Sequence, residues 1–418
     1  MLWALTSVSA FHATQPQVKE SWFKNTSIPA ANAASNASGG LGLIGDLLEG
    51  RRLFERETFG GNGRTCETCH SEETGTVSPE DARKRFLFNR RDPLFVHDGS
   101  DDEDGDGFGD GKHARRMLAD ATILMRIPLH PNVTLVSDPH ARFVTVRRGI
   151  PTTLNTPKLD PVLMLDGRQP DLESQALGAI TDHAQATRPP QRRELELIAK
   201  FQQLAPRFFT SLAVEIFSLG GPPPRLPRGR TASEKRGRTF FEDVPPDFSV
   251  TPPNFKPGAC AACHSGPLLN ETNQFFPVPT VVPGTRFQTV LVSEFNKAGN
   301  PVMDFVFTGQ NVPGGIIKLS SPDPGHALIT GRADDAVDPA ALTFDQANAF
   351  KISPLRGIRK TAPYFHDNSA KTLEDVLDHY EQFFLVVSDP DGPGPEQPLI
   401  QLNDQDKKDI IAFLKLLD

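Results

Sequence analysis

No run of apolar residues in the 418-residue sequence approaches the roughly 20 needed to cross a bilayer, which excludes a helical membrane span. Positive charge is in deficit: 44 Lys and Arg stand against 52 Asp and Glu, a net charge of −8, which argues against a nucleic-acid partner. Tryptophan and tyrosine are scarce, with two of each. Cysteine is limited to four residues, too few to staple a fold, and a chain this long buries a core without staples.

What is present is concentrated. All four cysteines fall in two copies of Cys-x-x-Cys-His, Cys66-Glu67-Thr68-Cys69-His70 and Cys260-Ala261-Ala262-Cys263-His264. Two thiols on one short turn reach the two vinyl groups of a single haem, and the histidine that follows comes under the iron. A zinc ribbon needs its two knuckles roughly 15–20 residues apart, whereas these lie in opposite halves of the chain. A thioredoxin-like pair leaves the histidine after each motif unexplained. The expectation is two covalently bound haem c groups, with His70 and His264 as proximal iron ligands.

The length favours two domains. Gly (33) and Pro (38) are abundant, so long ordered loops are expected around a mainly α fold. Met1–Phe11 has the apolar character of a secretion signal, with Val8-Ser9-Ala10 as a cleavage site, but lacks a positive n-region. Haem c is attached outside the cytoplasm, so the motifs themselves predict a periplasmic protein. The expected organisation is a leader and flexible lead-in at 1–40, then a cytochrome c-like haem domain at 41–219 with an inserted acidic loop at about 90–145. A Pro/Gly-rich linker at 220–231 precedes a second cytochrome c-like haem domain at 232–418.

Helical periodicity places a stripe at Leu43, Leu47, Leu48 and Phe54 before the first motif. It predicts further helices over Leu172–Gln185, Glu194–Phe201, Phe208–Leu219 and Ser233–Phe241. Near the C-terminus, Leu373, Val376, Leu377, Tyr380 and Phe384 share one face, and Ile410, Phe413, Leu414 and Leu417 another. Strand signals are sparse, with a small hairpin expected from Thr289–Val292 and Val302–Phe307.

Several segments resemble the bacterial dihaem cytochrome c peroxidases and the related MauG-type enzymes. They are Phe350-Lys351-Ile352-Ser353-Pro354-Leu355-Arg356-Gly357, Thr361-Ala362-Pro363-Tyr364-Phe365-His366-Asp367 and Cys263-His264-Ser265-Gly266-Pro267-Leu268-Leu269. The N-terminal half adds Ile150-Pro151-Thr152-Thr153-Leu154-Asn155, Asp166-Gly167-Arg168 and Leu172-Glu173-Ser174-Gln175-Ala176-Leu177-Gly178. The resemblance covers most of the chain from about residue 41, apart from the region around 90–145.

The resemblance implies a division of labour. The His70 haem is then the site of peroxide (or oxygen) activation, and the six-coordinate His264 haem exchanges electrons. The sixth ligand, a methionine in peroxidases and a tyrosine in MauG-type enzymes, falls on Tyr380; Met303 is the alternative. Without the family, Tyr380 reads as a core residue of an amphipathic helix. A phenolate ligand favours the ferric state and a low potential.

Three departures matter. Where the family has a tryptophan before Asp-Gly-Arg, this chain has Leu165, and its tryptophans are Trp3 and Trp22. Gln185 stands where the family has a catalytic glutamate, and an amide cannot take a proton as a carboxylate does. Ala179 replaces a proline. Gln175, His183 and Gln185 are therefore the candidates lining the distal side of the first haem, with His183 able to replace the missing acid–base group, although a half-buried helix histidine is its ordinary reading. His140 lies near the place of a removable distal histidine, although a plain loop histidine is the ordinary reading.

Calcium is expected at two places. Asp102, Asp104, Asp106 and Asp110 have EF-hand-like spacing around Gly107, with His113 where a full EF-hand has glutamate. Thr361 and Pro363 match inter-domain calcium ligands of the family, though the matching asparagine is Gly149. The reading that follows is a dihaem c oxidoreductase that uses peroxide or oxygen, with a small redox protein or an organic substrate as electron donor. The competing reading is a dihaem electron carrier without a catalytic pocket.

Overall fold

The computed structural model describes residues 36–98, 113–251, 253–275, 286–296, 300–334, 347–387 and 400–418. The chain divides into two compact units, Met1–Gly45 and Asp46–Asp418, and both Cys-x-x-Cys-His motifs lie in the second. The leader, both tryptophans and the Asp102, Asp104, Asp106 and Asp110 loop lie outside the described residues. The fold is mainly α. Among the described residues, no helix is long and apolar enough to cross a membrane.

Each motif is approached through a helix that crosses a later helix at a glycine. Before the first motif, helix Asn36–Arg56 brings Gly50 against helix Arg192–Leu204. A Cβ there would lie 2.3 Å from the Leu197 carbonyl oxygen, so only glycine allows the approach. Before the second, helix Ala232–Thr239 meets helix Asp404–Leu414, and a Cβ on Gly237 would lie 1.9 Å from the Asp409 carbonyl oxygen.

Apolar residues close these crossings, but of the stripe expected before the first motif only Phe54 takes part, and Leu43 and Leu48 are exposed. Leu53, Phe54 and Phe59 pack with Leu197, Ile198, Phe201 and Phe208 in one buried cluster. The Phe54 and Phe208 rings meet edge to face at 5.5 Å. The other cluster joins Phe240 and Phe241 to Ile410, Phe413, Leu414 and Leu417. Fully burying one such side chain contributes about 1.5–3 kcal/mol, more than an exposed ion pair of the kind these helices also carry.

The strands depart from the sequence reading. Val302–Phe307 is realised as strand Met303–Thr308, but it pairs with Ile316–Ser321 on one side and Val133–Leu135 on the other. Thr289–Val292 is not a strand. The chain instead pairs Phe287–Gln288 with Phe350–Lys351, and Val292 opens the short helix Val292–Phe295. An antiparallel pair, Thr122–Pro128 with Phe143–Gly149, carries no alternation that revealed it. Its Arg148 is buried and ion-paired with Asp166 at 2.5 Å and Asp323 at 2.7 Å. Burial alone would raise the Asp166 carboxyl, yet Arg148 and Arg168 hold it down at about 2.

The helix expected over Leu172–Gln185 ends earlier. An α-helix at Leu172–Gly178 passes into a π-helical turn at Ala179–His183. Gln185 lies beyond it with φ at +48°.

Candidate haem sites

The first motif forms a single helical turn, Cys66–Cys69, capped at Thr65, whose N–H donates to the Thr68 hydroxyl at 2.9 Å. His70 follows at the turn's end, its N–H bonded to the Cys66 carbonyl at 3.0 Å. Its Nδ1 lies 2.8 Å from the Gly75 carbonyl, a pure acceptor, so Nδ1 carries the proton and Nε2 keeps its lone pair for a metal. Residues of the Ile150–Asn155 segment hold that loop in place. Thr152 Oγ1 donates to the Thr74 carbonyl at 2.7 Å, and the Thr153 N–H donates to Gly75 itself at 3.1 Å.

The second motif repeats the device. The His264 N–H bonds to the Cys260 carbonyl at 2.8 Å, and its Nδ1 lies 2.8 Å from the Leu269 carbonyl. The loop between them closes through an antiparallel bridge, Ser265 with Glu271. Arg356 clamps it by donating to the Pro267 carbonyl at 2.5 Å, and the Leu355 N–H donates to Leu268 at 3.1 Å. Family-like segments thus serve as supports for the two histidine loops.

These features fit covalent haem. The four thiols are partly buried. Burial, with a smaller contribution from the partner cysteine, pushes Cys66 and Cys260 up to about 12. Loss of water also lowers the affinity of His70 and His264 for a proton, which keeps both rings neutral as iron ligands must be.

Tyr380 is half-buried on helix Leu373–Val387 and packs with Cys260 against the second cluster. Burial pushes its phenol up strongly, and the Cys263 and Cys260 thiols add to the shift. His379, one residue earlier, points elsewhere and donates from Nε2 to the Val290 carbonyl at 2.6 Å. Met303 belongs to a different cluster, with Phe305, Phe307 and Leu328. The structure therefore brings Tyr380, not Met303, to the second motif.

On the first side, His183 is the candidate drawn inward. It is half-buried. Its Nδ1 lies 2.9 Å from Asp98 Oδ2. The same carboxylate oxygen accepts from Arg64, and both of these partners are buried. The backbone carbonyl of His183 is held by Asn62 Nδ2 at 2.9 Å and Arg64 at 3.2 Å. Gln175 is half-buried one turn before the π segment. Gln185 is exposed, with only a 3.5 Å contact to Asn62. His140 is exposed in a turn.

Sequence reasoning missed Asp98 and Arg64. Asp98 stands at the edge of an acidic run, where nothing in spacing separates it from its neighbours. Thr361 follows the turn Ile358–Lys360, and Pro363 lies at a cis Ala362–Pro363 peptide. Gly149 lies against Asn368, whose side-chain amide fills the space a side chain at 149 would take and donates to the Asp120 carbonyl at 2.8 Å.

No family model matches the chain. It is similar to the cytochrome-c peroxidase IdrP2 of Denitromonas iodatirespirans, 29% identical over 38% of this chain and 36% of the relative. It is also similar to cytochrome c551 peroxidase of Nitrosomonas europaea, 24% identical over 64% of each chain. Methylamine utilization protein MauG of Methylorubrum extorquens is 34% identical over 16% of this chain and 19% of that protein. The matches thus span less than two thirds of each of these curated relatives.

Proposed function

We propose that this chain, a relative of the dihaem cytochrome c peroxidases and MauG-type proteins, is a dihaem c-type oxidoreductase that activates peroxide or oxygen at the His70 site. The observation that carries this is the repeated histidine device: behind each Cys-x-x-Cys-His, Nδ1 is tied to a carbonyl five residues on, at 2.8 Å in both. Such a bond fixes the ring and leaves Nε2 for iron. When bound, the haem supplies the redox-active iron at which an O–O bond is broken.

The chain's own residues divide the remaining work. Cys66 and Cys69, and Cys260 and Cys263, hold the two groups. His183 takes and returns a proton beside the first, with Gln175 and Gln185 on the same stretch of chain. Tyr380, beside Cys260, would help hold the iron of the second, which would exchange electrons with a small redox protein or an organic substrate. The two cytochrome c-like domains of this reading are 41–219 and 232–418, with 220–231 between them. Secretion to the periplasm follows from the attachment chemistry.

The test is a haem count. Protein made with cytochrome c maturation machinery should carry two haems that survive acid–acetone, and replacing Cys66 and Cys69, or Cys260 and Cys263, should halve the number. Extractable haem, or zinc in its place, would overturn the reading. Calcium at Asp102, Asp104, Asp106 and Asp110, or near Thr361 and Pro363, predicts a lower thermal midpoint on chelation. Alanine at Asp102, Asp104 and Asp106 should abolish that response if the acidic loop is the site.

The exposure of Gln185 favours a second reading, a dihaem electron carrier, since no carboxylate takes the glutamate's place there. Two six-coordinate low-spin haems would support it over the enzyme.

A further inference from the structure

His183 is held at three points by residues far away in sequence. Asn62 and Arg64 fasten its carbonyl, and Asp98 receives its Nδ1. Asp98 is 1% exposed, and its Oδ2 is shared between His183 and the buried Arg64 guanidinium. Arg64 is itself anchored by the Pro93 carbonyl at 3.1 Å and by the Val96 carbonyl. The group adjoins the first motif, since Arg64, which bonds both Asp98 and the His183 carbonyl, stands two residues before Cys66. It also sits on the π-helical turn Ala179–His183, a local widening often found at functional sites.

We propose that Asp98 is the positioning residue of the His70 site: it fixes His183 as the Nδ1–H tautomer, so that Nε2 stands bare as the proton acceptor. An ionised carboxylate paired with Arg64 can only accept, so of the two neutral tautomers the one with the proton on Nδ1 makes this bond. The other nitrogen is then left with a free lone pair. In peroxide cleavage, Nε2 takes a proton from one peroxide oxygen and returns it to the other. That oxygen would leave as water with the electron pair of the broken O–O bond, and bound haem would supply the two electrons. An ordinary structural reading needs the Arg64–Asp98 pair but gives no role to the His183 bond.

This inference rests on the proposed haem at His70, and cyanide separates the two. Hydrogen cyanide must lose its proton as it binds ferric iron, and a distal base speeds that loss. In the ferric holoprotein, Asp98→Asn and His183→Gln should each slow cyanide association by on the order of 10²-fold. The double variant should be no slower than either, and Asp98→Glu should recover part of the rate. A wild-type protein that binds no cyanide at the His70 haem overturns the open-site reading and the inference with it. Normal association in Asp98→Asn, with His183→Gln slow, overturns the inference alone. Should Asp98→Asn fail to fold, ¹⁵N NMR of His183 in the wild-type ferrous carbonyl form decides: Nδ1–H supports the assignment, and Nε2–H overturns it.

Discussion

Tyr380 and His379 are adjacent in sequence but turn to different partners. The imidazole is committed to the Val290 carbonyl at 2.6 Å, whereas the phenol ring packs with Cys260 against the second cluster. Burial keeps that phenol protonated in the haem-free chain, above even its usual value of about 10. A tyrosinate absorption at neutral pH in the loaded protein would therefore report bonding to iron. Tyr380→Phe should remove one low-spin ferric EPR signal, raise the potential of that haem and leave the other spectrum nearly unchanged. An unaltered low-spin signal would return Tyr380 to the role of a core residue. At this scale the sequence showed the motif residues directly, because their chemistry lies in local spacing. It hid Asp98, whose partners Arg64 and His183 reach it only through the fold.

Two helix crossings decide where the motifs sit. The one at Gly237 is the tighter, with no room for a methyl group against the Asp409 carbonyl. Around it, Asp409 accepts from Ser233 and Arg236, so the contact is polar at its rim and apolar at Phe413. Gly237→Ala forces the helices apart and should destabilise the protein by about 1–3 kcal/mol, despite alanine's better helix propensity. Thermal denaturation of the holoprotein would show the loss, and an unchanged or raised midpoint would contradict the crossing. Helices were largely legible because their apolar stripes repeat within the element itself, as in Leu373–Val387 and Asp404–Leu414. The strands were not. Phe287–Gln288 finds its partner at Phe350–Lys351, and Arg148 reads as a surface residue until Asp166 and Asp323 are beside it. The end of the helix at Gly178 was equally hidden, since the π turn depends on contacts from Asn62 and Arg64.

Across the molecule, the two sites share one construction and differ in what completes them. Both histidines are oriented through Nδ1 by a loop carbonyl, and both loops are braced by a distant segment. At the second site Tyr380 packs beside Cys260; at the first, the His183 imidazole is backed by a buried carboxylate. That asymmetry is what separates an enzyme with one open iron from a carrier with two closed ones. EPR of the ferric protein, with and without peroxide, tests it most directly. The account predicts one high-spin and one low-spin haem in equal amounts, with the high-spin signal lost on adding peroxide. Two low-spin signals unaffected by peroxide would contradict it.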